Sequence, residues 1–158
     1  MKKLLYLFLS VSFIFTACKK EQGCTDAIAT NYNDDAEDDD NSCIYSIVGT
    51  WSPIHAEVNY SASMAGMIIM DTSYTTTPSD QEWDFTDVRF TADGQMIMDG
   101  DTIQYSYSGN VLTTTEDGET ETNTCTVTST DMVVILNDTE EEDGMTLTSN
   151  VTINHTRQ

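Results

Sequence analysis

Side chains of the types that catalyse reactions are few and widely spaced in this chain. His55 and His155 are a hundred residues apart, so they form no His-Glu-x-x-His zinc motif. The sequence also lacks a Gly-x-Ser-x-Gly nucleophile elbow, a Cys-x-x-Cys pair and a glycine-rich phosphate loop. Cys125 lies in a Thr-rich segment, where a small buried thiol is expected rather than a nucleophile. We therefore predict that the protein is not an enzyme and needs no cofactor, with a carboxylate pair assembled in space as the alternative.

Two other residue patterns are typical of metal ligands. Met64, Met67 and Met70 recur every three residues and offer thioethers of the kind that bind Cu(I). An apolar strand or lid explains the same spacing. The acidic clusters at residues 34–40 and 138–143 offer oxygens to Ca²⁺, but neither has the spacing of a twelve-residue calcium loop. We predict no metal site and interpret both clusters as solvated surface.

Charge excludes one class of partner. The chain has 6 basic and 27 acidic residues, a net charge of −21. From Ile44 onward only Arg89 and Arg157 are basic, against 19 acids. Such a field repels phosphate backbones and anionic lipid headgroups, so we predict that the protein does not bind nucleic acid.

The N-terminus has the layout of a secretion signal. Lys2 and Lys3 precede an apolar run of twelve residues, Leu4 to Phe15, interrupted only by two serines. A membrane-spanning helix needs about 20 residues, so another kind of anchor is expected. Phe15-Thr16-Ala17-Cys18 resembles the lipobox of bacterial lipoproteins, which implies that residues 1–17 are removed and that Cys18 carries lipid. Several acyl chains hold a protein on a bilayer effectively permanently.

The resemblance implies an outer-membrane lipoprotein, facing either the periplasm or the cell surface. The segment from Cys18 to Gln22 partly resembles the export tag of surface lipoproteins in Bacteroidota, with one acid where two are usual. We expect the membrane, through this lipid, to be one partner. An envelope protein is the second partner that the location suggests.

Residues 18–45 are predicted to form an acidic stalk. Gly23 to Asn33, followed by Asp38 to Tyr45, resembles a cysteine-bounded module that recurs in secreted and surface proteins of Bacteroidota. The module implies a disulfide between Cys24 and Cys43, and an oxidising envelope permits one. A bridge closing about 20 residues would stabilise this segment by roughly 3 kcal/mol.

Residues 46–158 are predicted to form an all-β domain. Short runs rich in Thr, Val, Ile, Tyr and Met alternate with turn pairs such as Asp-Gly and Gly-Asn, which supply the positive φ angles of tight hairpins. Such short links favour an antiparallel up-and-down meander of eight or nine strands, closed into a barrel or folded into a sandwich. The exception is 61–70, which fits a short helix, a lid or the start of the second strand. The predicted strands are 48–59, 67–76, 83–91, 95–99, 102–108, 111–116, 122–128, 132–137 and 145–155.

This domain resembles lipocalins and the lipocalin-like lipoprotein domains of Bacteroidota. The resemblance rests on the Gly-x-Trp of Gly49 and Trp51 and on hairpins at 88–95 and 105–112. It implies a barrel in which Trp51 plugs the closed end and Arg157 packs across its ring, a contact worth about 0.5 to 2 kcal/mol. Gly49, Trp51 and Arg157 would be structural residues.

The interior of such a barrel is either filled by side chains or holds one small ligand. We therefore carry two hypotheses: a module that binds a small apolar ligand or membrane component, and a filled barrel that acts as a structural or protein-interaction module. The candidate ligand-binding residues are Met67, Ile69, Phe85, Phe90, Met96, Met98, Tyr105 and Tyr107.

Overall fold

The computed structural model describes residues 20–81 and 83–158. The predicted signal peptide and Cys18 lie outside the described residues. The described residues divide into two compact units, 20–43 and Ile44–Gln158. Among the residues described, no helix is long and apolar enough to cross a membrane.

The first unit is held by the predicted disulfide and by short polar turns. Cys24 is bonded to Cys43, which confirms the predicted pairing, and Cys24 is only 1% exposed. Two short parallel strands, β1 (Gln22–Gly23) and β2 (Asp38–Asp39), pair with each other. Several Asn and Asp side chains accept a backbone N–H two residues further on, as Asp39 does from Asn41 at 2.7 Å. These residues therefore build turns in a segment that lacks an apolar core.

The second unit is an antiparallel β-barrel, and the predicted all-β, lipocalin-like architecture is confirmed. β3 pairs with β5, each strand from β5 to β11 pairs with the next, and β11 pairs back with β3. Eight strands thus close the barrel, and β4 is an extra strand along β3. The strands are β3 (Gly49–Met64), β4 (Met67–Thr76), β5 (Val88–Phe90), β6 (Gln95–Met98), β7 (Asp101–Ser108), β8 (Val111–Glu116), β9 (Glu119–Val127), β10 (Asp131–Glu142) and β11 (Met145–Arg157).

Tight turns at the predicted positions make the meander continuous. Asp99, Asn110, Asp117 and Asp143 all have φ between 50° and 64°, and each lies next to a glycine that also has positive φ. Asn and Asp tolerate this left-handed conformation better than other residues with a Cβ. The chain can therefore reverse direction between the two strands of each hairpin without a long loop.

Four strands continue past the barrel wall and form what we call the extended sheet. The outer part of β3, Ala56–Met64, pairs with β4 instead of β5. β10 leaves β9 after Ile135 but stays paired with β11 as far as Glu142. Residues 61–70 are part of this sheet, as a hairpin with a turn at Ala65–Gly66. Of the three alternatives for this segment, a short helix, a lid or the start of a strand, only the last is met, because Met67 begins β4.

Apolar residues alternate along the barrel strands and face inward. Val88 and Phe90 of β5 are buried, whereas Arg89 between them is exposed. The predicted strand over 83–91 is confined to these three residues, because 83–87 and Thr91 lie outside any strand. The core that these inward residues form includes Ile47, Trp51, Val88, Phe90, Leu112, Cys125, Val127, Met132 and Val134.

Candidate ligand-binding cavity

The two ends of the barrel differ in construction. β3 starts and β11 finishes at one end, where Arg157 pairs with Trp51. The hairpin turns at Asp99–Gly100 and Asp117–Gly118 lie at the other end, because β6 and β8 run away from Trp51. The extended sheet projects from that same second end. We call the Trp51 end the closed end and the other the open end.

Trp51 and Arg157 close the barrel. Trp51 is fully buried, and its Nε1 donates to the carbonyl of Ile47 at 2.7 Å. The guanidinium carbon of Arg157 lies 4.1 Å from the centroid of the Trp51 ring. Arg157 also donates to the carbonyls of Val48 at 2.9 Å and Ser46 at 2.7 Å. The resemblance to lipocalins implied this placement of the two side chains.

Gly49 leaves room for that arginine. A Cβ at residue 49 would lie 2.9 Å from Nη1 of Arg157, and Gly49 has a φ of 146°. Both the space and the backbone conformation therefore favour glycine here. Burial lowers the pKa of Arg157 from its ordinary value, but the group stays charged at neutral pH.

A cavity of about 650 Å³ occupies the barrel above this closed end. Ligand sites in proteins typically measure about 300 to 1,000 Å³. Its apolar wall comes from strands all around the barrel and includes Phe90, Met96, Leu112, Met132, Val134 and Ile153. Because these residues alternate with outward-facing ones, the meander directs one apolar side chain after another into the same space.

Acidic residues lie at the open end of this cavity, along the part of the wall from β5 to β9. Six carboxylates contribute to its lining, from the segment just before β5 and from the β6–β7 and β8–β9 hairpins: Asp84, Asp99, Glu116, Asp117, Glu119 and Glu121. Neither arginine of the barrel unit is among the lining residues. Glu116 and Glu119 face each other across the β8–β9 hairpin. Like charges opposite each other destabilise a hairpin, so this pair is not explained by stability.

His155 is a polar residue in the deep part of the cavity lining. It lies on β11 two residues before Arg157, is 6% exposed and lines the cavity. Its Nδ1 has no hydrogen-bond partner. Burial lowers the pKa of His155, and the backbone carbonyls of Met132 and Ile153 oppose that shift only in part. The imidazole is therefore neutral at pH 7.

The predicted ligand-binding residues fall into three places. Phe85, Phe90, Met96 and Met98 line the cavity. Tyr105 and Tyr107 pack against the core, and their hydroxyls donate to the carbonyls of Thr91 at 2.8 Å and Cys125 at 3.2 Å. Met67 and Ile69 lie on β4 in the extended sheet, 69% and 56% exposed. They lie apart from the first group because β4 pairs only with the outer part of β3.

The six acidic residues at the opening, which we call the acidic rim, were not among the residues selected from the sequence, and neither was His155. A signal for the rim existed: in an up-and-down meander alternate turns share one end, and Asp99 and Asp117 are two turns apart along the chain. His155 lies two residues after the apolar Ile153 on the last strand, and residues with this spacing point to the same face. The sequence therefore already indicates an inward side chain. Without the strand register, however, the neighbours of that histidine were unknown.

The remaining reactive groups are separated from one another. His55 neighbours Asn154 on β11 but lies near Glu57, 3.6 Å from Nε2 to Oε1, and is half-exposed, while His155 is buried in the cavity. Cys125 is fully buried, and burial raises its pKa to about 12. Within 20–81 and 83–158, no three His, Cys, Asp or Glu side chains come together in a way suited to a metal ion.

Comparisons of the chain with protein-family models, curated proteins and solved structures found no match. The candidate site is thus defined by its geometry: an apolar chamber, the imidazole of His155 in its lining, and six carboxylates at its opening. This arrangement is chemically suited to burying an apolar molecule. It also gives that molecule a negative potential at the entrance.

Proposed function

We propose that the barrel binds a small, largely apolar ligand and that lipid on Cys18 holds the protein at the outer membrane. The observation that carries the binding proposal is the cavity of about 650 Å³ with its apolar wall. A barrel filled by its own side chains would be expected to pack at native density throughout. The chamber therefore favours the ligand-binding hypothesis over the filled barrel.

The physical driving force is burial of the ligand's apolar surface. Each 100 Å² removed from water contributes about 2.5 kcal/mol before the costs of association are subtracted. The affinity should therefore rise with ligand length until the chamber is filled and then stop rising. A surface that binds hydrophobic molecules without a chamber shows no such limit.

Saturable binding of a graded series of alkyl alcohols to the mature chain, measured by calorimetry with Cys18→Ser, tests the proposal. Val134→Phe should remove binding because residue 134 is buried and lines the cavity. Val133→Phe is the matched control, since its neighbouring side chain points away from the cavity. Near-ultraviolet circular dichroism checks that both variants fold. Absence of saturable binding across the series contradicts the proposal.

Anchoring is tested separately in cells. Incorporation of a labelled fatty acid should require Cys18, so Cys18→Ala should lose the label and leave the membrane fraction. Protease treatment of intact cells then distinguishes the two faces of the outer membrane. Digestion of the barrel without lysis indicates the cell surface, whereas protection indicates the periplasmic side.

A second candidate function, interaction with an envelope protein, is favoured by the apolar exposure of β4. Met67, Ile68, Ile69 and Met70 are 46% to 70% exposed, and β4 is paired on one side only. Exposed apolar groups on an unpaired strand edge are typical of interaction surfaces. A photo-crosslinking residue at Ile69 should capture one defined protein in cells. The same residue at the exposed Thr122 of β9 serves as the control, and equal labelling from both positions contradicts this candidate.

A further inference from the structure

We infer that the ligand of the cavity is a cationic amphiphile, with an ammonium group at the acidic opening and an apolar body in the chamber. This inference rests on the proposed function and adds the chemical class of the ligand. The carboxylates at the opening and the apolar wall of the chamber are the observations behind it.

The opening selects by charge. The rim carries six carboxylates, while Arg157 is stacked on Trp51 at the closed end and Arg89 is exposed on the outside of β5. Carboxylates around a low-dielectric chamber focus a negative potential at its entrance. An anionic end group such as a fatty-acid carboxylate would face repulsion there. A protonated amine would be attracted.

The facing pair Glu116 and Glu119 strengthens this argument. A hairpin gains nothing from two like charges directly opposite each other, and the adjacent turn at Asp117 adds a third carboxylate. A cation bound between these side chains relieves that repulsion. The same residues that weaken the free hairpin would then contribute to ligand binding.

A charge series tests the opening. Decylammonium, decanol and decanoate share one alkyl chain and differ in end-group charge, and each is titrated by calorimetry into the mature chain carrying Cys18→Ser. We expect the amine to bind about tenfold more tightly than the carboxylate at low salt, with the difference shrinking at high salt. Equal binding of all three overturns the charge inference but leaves the proposed function intact. Absence of binding by all three overturns both.

Variants separate the opening from the general acidity of the protein. The combination Glu116→Gln, Asp117→Asn and Glu119→Gln should abolish the preference for decylammonium over decanoate. Asn keeps the left-handed conformation that residue 117 requires. The matched control neutralises Glu57, Asp71 and Glu141, which are exposed on the face of the extended sheet opposite Val58. An equal loss in the control shows that the preference is nonspecific and overturns the inference.

Discussion

The guanidinium of Arg157 stacks on the ring of Trp51, 4.1 Å from its centroid, and the same group donates hydrogen bonds to two carbonyls near the start of β3. The last residues of the barrel are thereby attached to its first strand. Trp51 is buried beneath this contact. The arginine thus closes the barrel end by stacking and by hydrogen bonding at once.

Replacing Arg157 with Lys should destabilise the barrel by about 1 to 2 kcal/mol, because an ammonium keeps the charge but loses the planar stack and the paired donors. Urea unfolding followed by Trp fluorescence should show a lower midpoint with an unchanged slope. Arg89→Lys, at an exposed position on β5, is the control and should change stability by less than about 0.5 kcal/mol. Equal effects of both substitutions would contradict the closing role.

Gly49→Ala should cost about 1 to 3 kcal/mol, since it adds a Cβ 2.9 Å from Nη1 of Arg157 at a φ of 146°. Removing the arginine side chain relieves the steric part of this cost. The double variant Gly49→Ala, Arg157→Ala should therefore be destabilised by less than the sum of the two single variants, with a difference of about 0.5 kcal/mol or more. Strict additivity in urea unfolding would show that the close approach has no energetic consequence.

Cys125 should be inert to thiol reagents in the folded protein. It is fully buried and burial raises its pKa to about 12, so little reactive thiolate forms and no reagent reaches it. A chain with Cys18→Ser and an intact Cys24–Cys43 disulfide should release no colour with a disulfide reagent under native conditions. One equivalent should react after unfolding in urea, whereas rapid labelling of the native protein would refute the burial.

His155 should make stability depend on pH. Its pKa is lowered in the folded state, so below the unfolded value of about 6.5 the unfolded chain binds a proton first. Stability should therefore fall as the pH drops from about 7 through that value, until the folded-state pKa is passed. His155→Phe should remove this part of the dependence, and His55→Gln should retain it. A wild-type profile in His155→Phe would rule out the assignment.

Breaking the disulfide should unfold the first unit locally. The bond spans a sequence separation of 19, and the entropy model gives about 3 kcal/mol for a loop of that size. Because this unit has few apolar contacts that could replace the disulfide, residues 20–43 should lose amide hydrogen-exchange protection in the Cys24→Ser, Cys43→Ser chain. Adding a reductant to that variant should cause no further change. Retained protection would show that the polar turns alone hold the unit.

The sequence was sufficient for the fold class. Turn pairs such as Asp117–Gly118 have a conformational requirement that few other residues meet, and short links between apolar-alternating runs permit only antiparallel neighbours. The Cys24–Cys43 bond followed from a local module and a permissive environment. Both conclusions depend on interactions close along the chain, which is why they could be drawn without coordinates.

The candidate site required contacts between residues far apart in sequence. Only the strand register puts His155 in the cavity lining and His55 outside, although the two strands are neighbours. Met67 and Ile69 lie on the extended sheet because β4 pairs with the outer part of β3, whereas Phe90 and Met96 line the chamber. Only the tertiary structure shows this difference. Whether a barrel is filled or hollow is decided by how side chains from all its strands meet across the interior. Alternation along each strand fixes which residues face inward, but the space left between them is a property of the closed structure.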